Sequence, residues 1–486
     1  MRYLVAASLT ALCLPGLSSA QCGALTVTGT LNPAQIITLT VAGATPLGEA
    51  FLLAGSDVGS TFIDLGALGS LTVGLVSPFT LLPIGQTNAS GNLSYSFSIP
   101  ANVPTSSLPT SLTLQVVTVT FAFGPPILSF CVSNTETIEH DALGAGEALR
   151  HWHEITLEAN ALDHTPSLQG PLHMAGHNPG PCRTARAMAI TYIAMFEALN
   201  AVQGGYQSYA GLAPATGQLS RSAAIAQAAR DTLVSLYPSQ AWIFDAALAV
   251  DLGLVVDGPR KTAGIALGQA AAAALLAMRA ADGSNHAEPL VNIGFLCSNQ
   301  PGFWRQDPIV PHPLALGAEW AQVAPFVLTS ASQFQAPPPP ALTSPAYTVA
   351  FDEVKAFGGD GVVSPHVRSQ DQTWIGLYWG YDGSPGLGTP PRLFNQIVMK
   401  IARQRNTNVV QTARLLALVN ASMADSGLAC WESKYFYQFW RPCSGIRQSD
   451  PGTGPSGLGD GNPATVGDVA FTPLAAPASN SLNPNL

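Results

Sequence analysis

The chain has 486 residues; 47% are hydrophobic, only 10% are charged, and 46 are Gly and 39 Pro. That hydrophobic content excludes a solvated disordered chain, and the length accommodates about two to four domains. A formal charge of −9 argues against nucleic acid or an anionic membrane as the main partner. A small anion held by a few local cations remains compatible with it.

Residues 1–20 read as a secretory signal: Arg2 is the lone charge, 3–14 is apolar, and Ser18-Ser19-Ala20 is a small-residue exit. The apolar stretch is too short to span a bilayer. A secreted or periplasmic protein is therefore expected. No later segment reads as a membrane span. The nearest, 263–278, is Ala-rich and interrupted by Gly264, Gly268 and Gln269, which predicts a close-packed soluble helix. Beyond the signal stand Cys22, Cys131, Cys182, Cys297, Cys430 and Cys443, without the CxxC spacing of a zinc site. Export permits disulfides, and Cys22 and Cys131, which bracket one segment, are the expected pair.

Residues 21–134 contain no Lys, Arg or His, and their only acids are Glu49, Asp57 and Asp64. Runs at 35–41, 49–54, 70–76, 92–99, 111–123 and 127–132 alternate with Gly, Pro, Asn and Ser, which predicts a small all-β sandwich. Lacking a titratable base, this domain is a poor candidate for acid–base chemistry. A structural or adhesive role is expected.

From 135 the pattern turns helical, and an α-helical domain is expected over 135–447. Met188, Tyr192, Met195 and Leu199 recur at helical spacing within 183–202. Further helices are expected over 222–237 and 240–256, and from Asp257-Gly258-Pro259 to Gly283, where Gly264 and Gly268 suggest a close helix contact. Pro- and Gly-rich chain covers 283–342. Helices resume at 344–358 and 369–379, followed by a longer helical stretch over 391–440. Residues 448–486 lack Lys, Arg and His and read as loop.

Chemistry concentrates in the run from Cys430 to Pro442. Lys434 and Arg441 are seven residues apart, two turns on one face if the helix continues. Five aromatic residues lie between them and predict a poorly solvated wall. Two cations in such a place call for an anion. Arg offers a planar fork to a tetrahedral oxyanion, and Lys adds a point charge. Spacing alone is also satisfied, and more simply, by two side chains reaching solvent. Against that, the chain has only four Lys, so Lys-x6-Arg-Pro is an uncommon chance event.

This stretch resembles the first of three motifs in the vanadium-dependent haloperoxidase and type 2 phosphatidic acid phosphatase superfamily. Trp431, Phe439-Trp440-Arg441-Pro442 and Ser444-Gly445-Ile446-Arg447 are similar to its secreted chloroperoxidase-like branch. So are Arg183-x-x-Arg186-Ala187, the run from Met195 to Ala201, Asp257-Gly258-Pro259 and Phe303-Trp304-Arg305. The resemblance spans about 140–475 and excludes the β segment. It implies a haloperoxidase-type helical bundle that binds vanadate, so with the β-sandwich ahead of it a multidomain protein is expected. Lys434 and Arg441 would hold the vanadate oxygens, with Trp431 lining the pocket. The implied reaction is oxidation of a halide, or of a small organic substrate through it, by hydrogen peroxide. Phosphoryl transfer through a His, as in the secreted acid phosphatases of the superfamily, is the alternative. A non-catalytic oxyanion-binding or structural protein is another.

The departure lies in the histidines. The superfamily's second and third motifs, each with a His, lie C-terminal to the first. Here the nine His stand at His140, His151, His153, His164, His173, His177, His286, His312 and His366. Pro455-Ser456-Gly457 is followed by Leu458 where the second motif needs a His. The family's vanadium-ligating His therefore has no counterpart. The expectation is half a site, from a truncated reading frame that lacks the bundle's last helices, inactive as it stands. Exposed apolar surface near Lys434 and Arg441 is expected to follow. Elsewhere, His173 and His177 have a helical metal-ligand spacing but sit among Gly and Pro, so a loop is expected. His151, His153 and Glu154 read as a solvated helix start.

Overall fold

A computed structural model describes residues 20–21, 24–28, 36–44, 46–55, 58–64, 70–75, 80–98, 111–121, 128–139, 143–165 and 176–474. Residues 1–19 of the expected signal, Cys22 of the expected disulfide, and His173 lie outside the described residues.

Ten strands come first: β1 (Ala20–Gln21), β2 (Ala24–Thr28), β3 (Ile36–Ala42), β4 (Glu49–Gly55), β5 (Val58–Asp64), β6 (Ser70–Leu75), β7 (Thr80–Gln86), β8 (Leu93–Ser98), β9 (Ser111–Phe121) and β10 (Leu128–Glu139). A five-stranded sheet has the order β1-β10-β9-β4-β7, a three-stranded sheet β2-β3-β8, and β5 pairs with β6. All pairings are antiparallel except that of β1 with β10, which sets Ala20 opposite Cys131. Alternation decides what each strand buries. Ile37, Leu39 and Val41 of β3 point inward and Thr38 and Thr40 outward. Those inward residues share one core with Leu52 of β4 and Leu114 and Val116 of β9, so residues of both larger sheets bury together.

The helical part comprises α1 (Ala145–Asp163), α2 (Gly180–Gln203), α3 (Arg221–Leu236), α4 (Ala241–Gly253), α5 (Pro259–Arg279), α6 (Pro345–Gly358), α7 (Gln370–Trp379), α8 (Pro391–Gln404), α9 (Val409–Tyr437) and α10 (Pro442–Arg447). Helix α2 is apolar nearly all round and is buried accordingly: Met188, Tyr192, Met195 and Leu199 are all within 1% of full burial. It packs against α3, α5 and α9. Helix α5 lies close on α3 through its two glycines. A β-carbon on Gly264 would sit 2.4 Å from the Ser220 carbonyl oxygen, and one on Gly268 2.5 Å from that of Ala224. Among the described residues α5 is the one helix long and apolar enough to cross a membrane by length and composition.

The expected helical stretch over 391–440 is instead two helices with a terminal break. Helix α8 stops at Gln404. Asn408 and Gln411 then form a capping box that starts α9, and the Asn408 side chain accepts from the Gln411 N–H at 2.9 Å. Helix α9 ends at Tyr437, because Gln438 turns left-handed (φ 48°) and donates its N–H to the Lys434 carbonyl. Helix α7 buries none of its residues and leaves Trp374, Ile375, Tyr378 and Trp379 exposed.

The expected solvated helix start at 151–154 is also corrected, since these residues fall inside α1. His151 pairs with Asp251 at 3.0 Å, and Trp152 Nε1 donates to the same carboxylate at 2.8 Å. His153 faces the core and meets the Tyr192 hydroxyl at 2.8 Å. Burial first, then Arg403, lowers its pKa to about 4. The unfolded chain therefore takes up a proton near pH 6.5 that the folded chain refuses until about pH 4. Stability is expected to fall as pH drops through that window, by about 3 kcal/mol from this group. Denaturant melts of the wild type and His153→Gln between pH 7 and 4 would reveal it. The variant should lose the larger part of the slope, and an unchanged slope would exclude His153 as its source.

Candidate anion-binding site

The site is built where α9 ends. Gln438 breaks the helix, and the chain runs extended alongside 302–304. Trp304 N–H donates to the Gln438 carbonyl at 2.5 Å, Trp440 N–H donates to the Gly302 carbonyl at 2.9 Å, and Phe303 bridges Phe439. Arg441 is the residue before Pro442, which disfavours helical backbone. It adopts φ −72° and ψ 152° as the cap of α10. Lys434 and Arg441 thus do not share a helical face, contrary to the spacing argument. The break nonetheless brings both to the lining of a single cleft of about 490 Å³, with Trp431, Trp304, Phe295 and Tyr435.

The rest of the wall is fastened to α9 by polar contacts. Trp431 Nε1 and the Tyr435 hydroxyl both donate to the Leu316 carbonyl, at 3.2 and 2.7 Å. Glu288 holds that loop by accepting from the Gly317 N–H at 2.6 Å, and is itself paired with Arg183 at 3.0 Å. On the other side, Asp425 accepts from the backbone N–H groups of Phe326, Val327 and Leu328 at 2.7, 2.7 and 2.9 Å. Further along, Ser433 accepts from the Ala336 N–H, and the Tyr437 hydroxyl donates to the Ala336 carbonyl at 2.8 Å. These bonds lay Pro337 and Pro339 against the cleft.

Electrostatics sets the site apart from an ordinary surface. Lys434 is exposed at the cleft, with Nζ 3.7 Å from the centre of the Trp431 ring. Its desolvation pulls the ammonium below the usual lysine range, and Arg441 adds to this. The Cys430 and Cys182 sulfurs and the Asp382 carboxyl act in the opposite sense. Burial likewise lowers Arg441, opposed by Tyr435 and Asp307. Among the described residues no carboxylate lies within ion-pair distance of Lys434. A cation so placed gains from an anion in the cleft, because the low local dielectric strengthens their attraction.

Sequence reasoning missed Asp382. It lies in the loop between α7 and α8, and burial raises its carboxyl to about 7 despite the opposing field of Lys434. Its buried Oδ1 has no hydrogen-bond partner among the described residues. A lone Asp in a Gly/Pro-rich loop carries no pattern that marks it. The other candidates lie elsewhere. His177 Nε2 meets the Ser239 hydroxyl at 2.8 Å, and Leu458 is exposed in a loop. No His lines the cleft among the described residues, and they contain no metal-binding cluster of His, Cys, Asp and Glu.

A family model described as the VCPO second helical-bundle domain matches residues 414–484, a span that includes Trp431, Lys434 and Arg441. A vanadium chloroperoxidase from Curvularia inaequalis is 30% identical over 391 residues, which are 68% of this chain and 60% of that protein. The chain thus spans 60% of the length of this curated relative. The crystal structure of a bacterial vanadium-dependent iodoperoxidase is similar in fold, with a TM-score of 0.51 and 20% identity, covering 62% of this chain and 72% of that one.

Proposed function

Because the chain belongs to the vanadium haloperoxidase family, we propose that it binds vanadate between Lys434 and Arg441, at a site serving halide oxidation by hydrogen peroxide. The observation that carries this reading is the meeting of an exposed Lys434 and a half-buried Arg441 on one aromatic-lined cleft, with no carboxylate paired to Lys434 among the described residues. The donor set fits the oxygens of a tetrahedral oxyanion. The Arg441 guanidinium would take two oxygens in parallel and the Lys434 ammonium a third. Trp431 holds Lys434 in place through its ring face. When bound, vanadate would supply a Lewis-acid centre that activates peroxide toward a halide. Asp382, poised near neutrality close to Lys434, can hold or release a proton at its unpartnered Oδ1.

Among the described residues the donor set does not extend to the metal itself. The sequence has no His after His366, and no His lines the cleft among the described residues. Binding without turnover is therefore the expected behaviour of the 486-residue polypeptide. Secretion, from the signal-like residues 1–20, is part of the same proposal. Equilibrium dialysis with orthovanadate, followed by peroxide with bromide or chloride, tests it. Vanadate should be retained without halogenation of an added acceptor. Failure to retain vanadate would sink the binding proposal, and halogenation at full rate would overturn the half-site reading. Phosphate-ester hydrolysis without vanadate would favour the acid phosphatase alternative.

A further inference from the structure

Cys182 and Cys430 lie on two packed helices, α2 and α9, near enough for each to act on the other's charge. Cys182 is in the first turn of α2, buried against α9, where Gly427 leaves room for it. A β-carbon on Gly427 would stand 3.4 Å from the Cys182 sulfur and 3.9 Å from its Cα. Cys430 is three residues further along α9, on the same side of the helix, and is exposed in the cleft. Both sulfurs lie in the field of Lys434, and that of Cys430 also in the field of Arg441. The two therefore differ in access, with one thiol open to whatever enters the cleft and the other sheltered one helical turn away.

We propose that Cys430 and Cys182 form a peroxide-driven disulfide that ties α9, the helix carrying Lys434, to α2. The inference rests on the proposed function only in taking hydrogen peroxide as the oxidant. The Cys430 sulfur attacks one peroxide oxygen, and the O–O bond breaks. The departing hydroxide takes the thiol proton and leaves as water, and Cys430 becomes a sulfenic acid. The Cys182 sulfur then attacks the sulfenic sulfur, and a second water departs. The balance is two thiols and one peroxide giving one disulfide and two waters. Lys434 and Arg441 stabilise the hydroxide as it leaves, for the same reason that they suit an oxyanion. Burial pushes the Cys182 thiol well up, which leaves the exposed Cys430 as the better first nucleophile. Cys297 is the competing partner, since it is half-exposed and electrostatically coupled to Tyr435 of the same cleft. Cys443 is buried beside Phe471 instead.

The experiment treats the full chain with one equivalent of hydrogen peroxide, blocks remaining thiols with an alkylating agent, and maps peptides without reduction. A single cross-linked species joining the Cys182 and Cys430 peptides is expected, and dithiothreitol should release it. In Cys182→Ser, the sulfenic acid should persist on Cys430 and be trapped by dimedone. In Cys430→Ser, Cys182 should stay reduced. A Cys430–Cys297 cross-link, cross-links between separate copies, or Cys430 oxidised past the sulfenic stage while Cys182 remains a free thiol would each overturn the proposal. These masses do not depend on vanadate, so a chain that binds none can still pass or fail.

Discussion

Replacing both Lys434 and Arg441 by Ala is expected to abolish vanadate retention, while either single replacement weakens it by about 10- to 100-fold. That range follows from about 1.5–3 kcal/mol for a hydrogen bond to a charged group. Arg441→Lys keeps the charge but loses the planar fork, so its affinity should fall between the wild type and Arg441→Ala. Lys434→Gln removes the charge while keeping a polar head of similar length, and should bind nearly as weakly as the Ala variant. Equilibrium dialysis gives the affinities. A denaturant melt of each variant separates lost contacts from lost fold. Unchanged affinity in the double variant would place the anion elsewhere.

The largest expected effect on stability comes from Asp425. Its carboxylate takes three backbone N–H groups from 326–328, and it is itself 4% exposed. Asp425→Ala leaves those donors without their charged acceptor and frees the segment that leads to Pro337 and Pro339. A loss of about 2–4 kcal/mol is expected, less than the sum over three bonds because such contributions are not additive. Asp425→Asn keeps a carbonyl acceptor and should recover roughly half. Urea midpoints measure both. The site carries a second consequence. With 326–337 loosened, vanadate affinity should fall although Asp425 does not line the cleft. A variant destabilised to that extent with unaltered affinity would show that the proline wall contributes nothing to binding.

The parts of the molecule written in local pattern were readable from the sequence. Met188, Tyr192, Met195 and Leu199 announced the buried face of α2, and Gly264 and Gly268 announced the close helix contact that α5 makes with α3. The run over 35–41 likewise announced β3, in which Ile37, Leu39 and Val41 turn out to face the core. Where the reading went wrong, a local rule had been outweighed. Helical spacing was carried through Gln438, although Pro442 biases Arg441 away from helix, and that clue stands in the sequence. His153 looked solvated because its neighbours are polar, yet α1 turns it onto Tyr192. Other features depend on distant chain and leave no local trace. Examples are the strand-like pairing of 302–304 with 438–440, the packing of Cys182 over Gly427, and the elevated carboxyl of Asp382. Lys434 and Arg441 could be named because Lys-x6-Arg-Pro is short and contiguous, whereas the loops that enclose them are not.

A crystal of this chain grown with orthovanadate, with the anion located by anomalous scattering from vanadium, tests whether Lys434 and Arg441 hold the anion. One anion is expected in the cleft, with its oxygens at hydrogen-bond distance from both Lys434 Nζ and the Arg441 guanidinium. A cleft left empty at saturating vanadate, or an anion bound beyond reach of either side chain, would contradict that expectation.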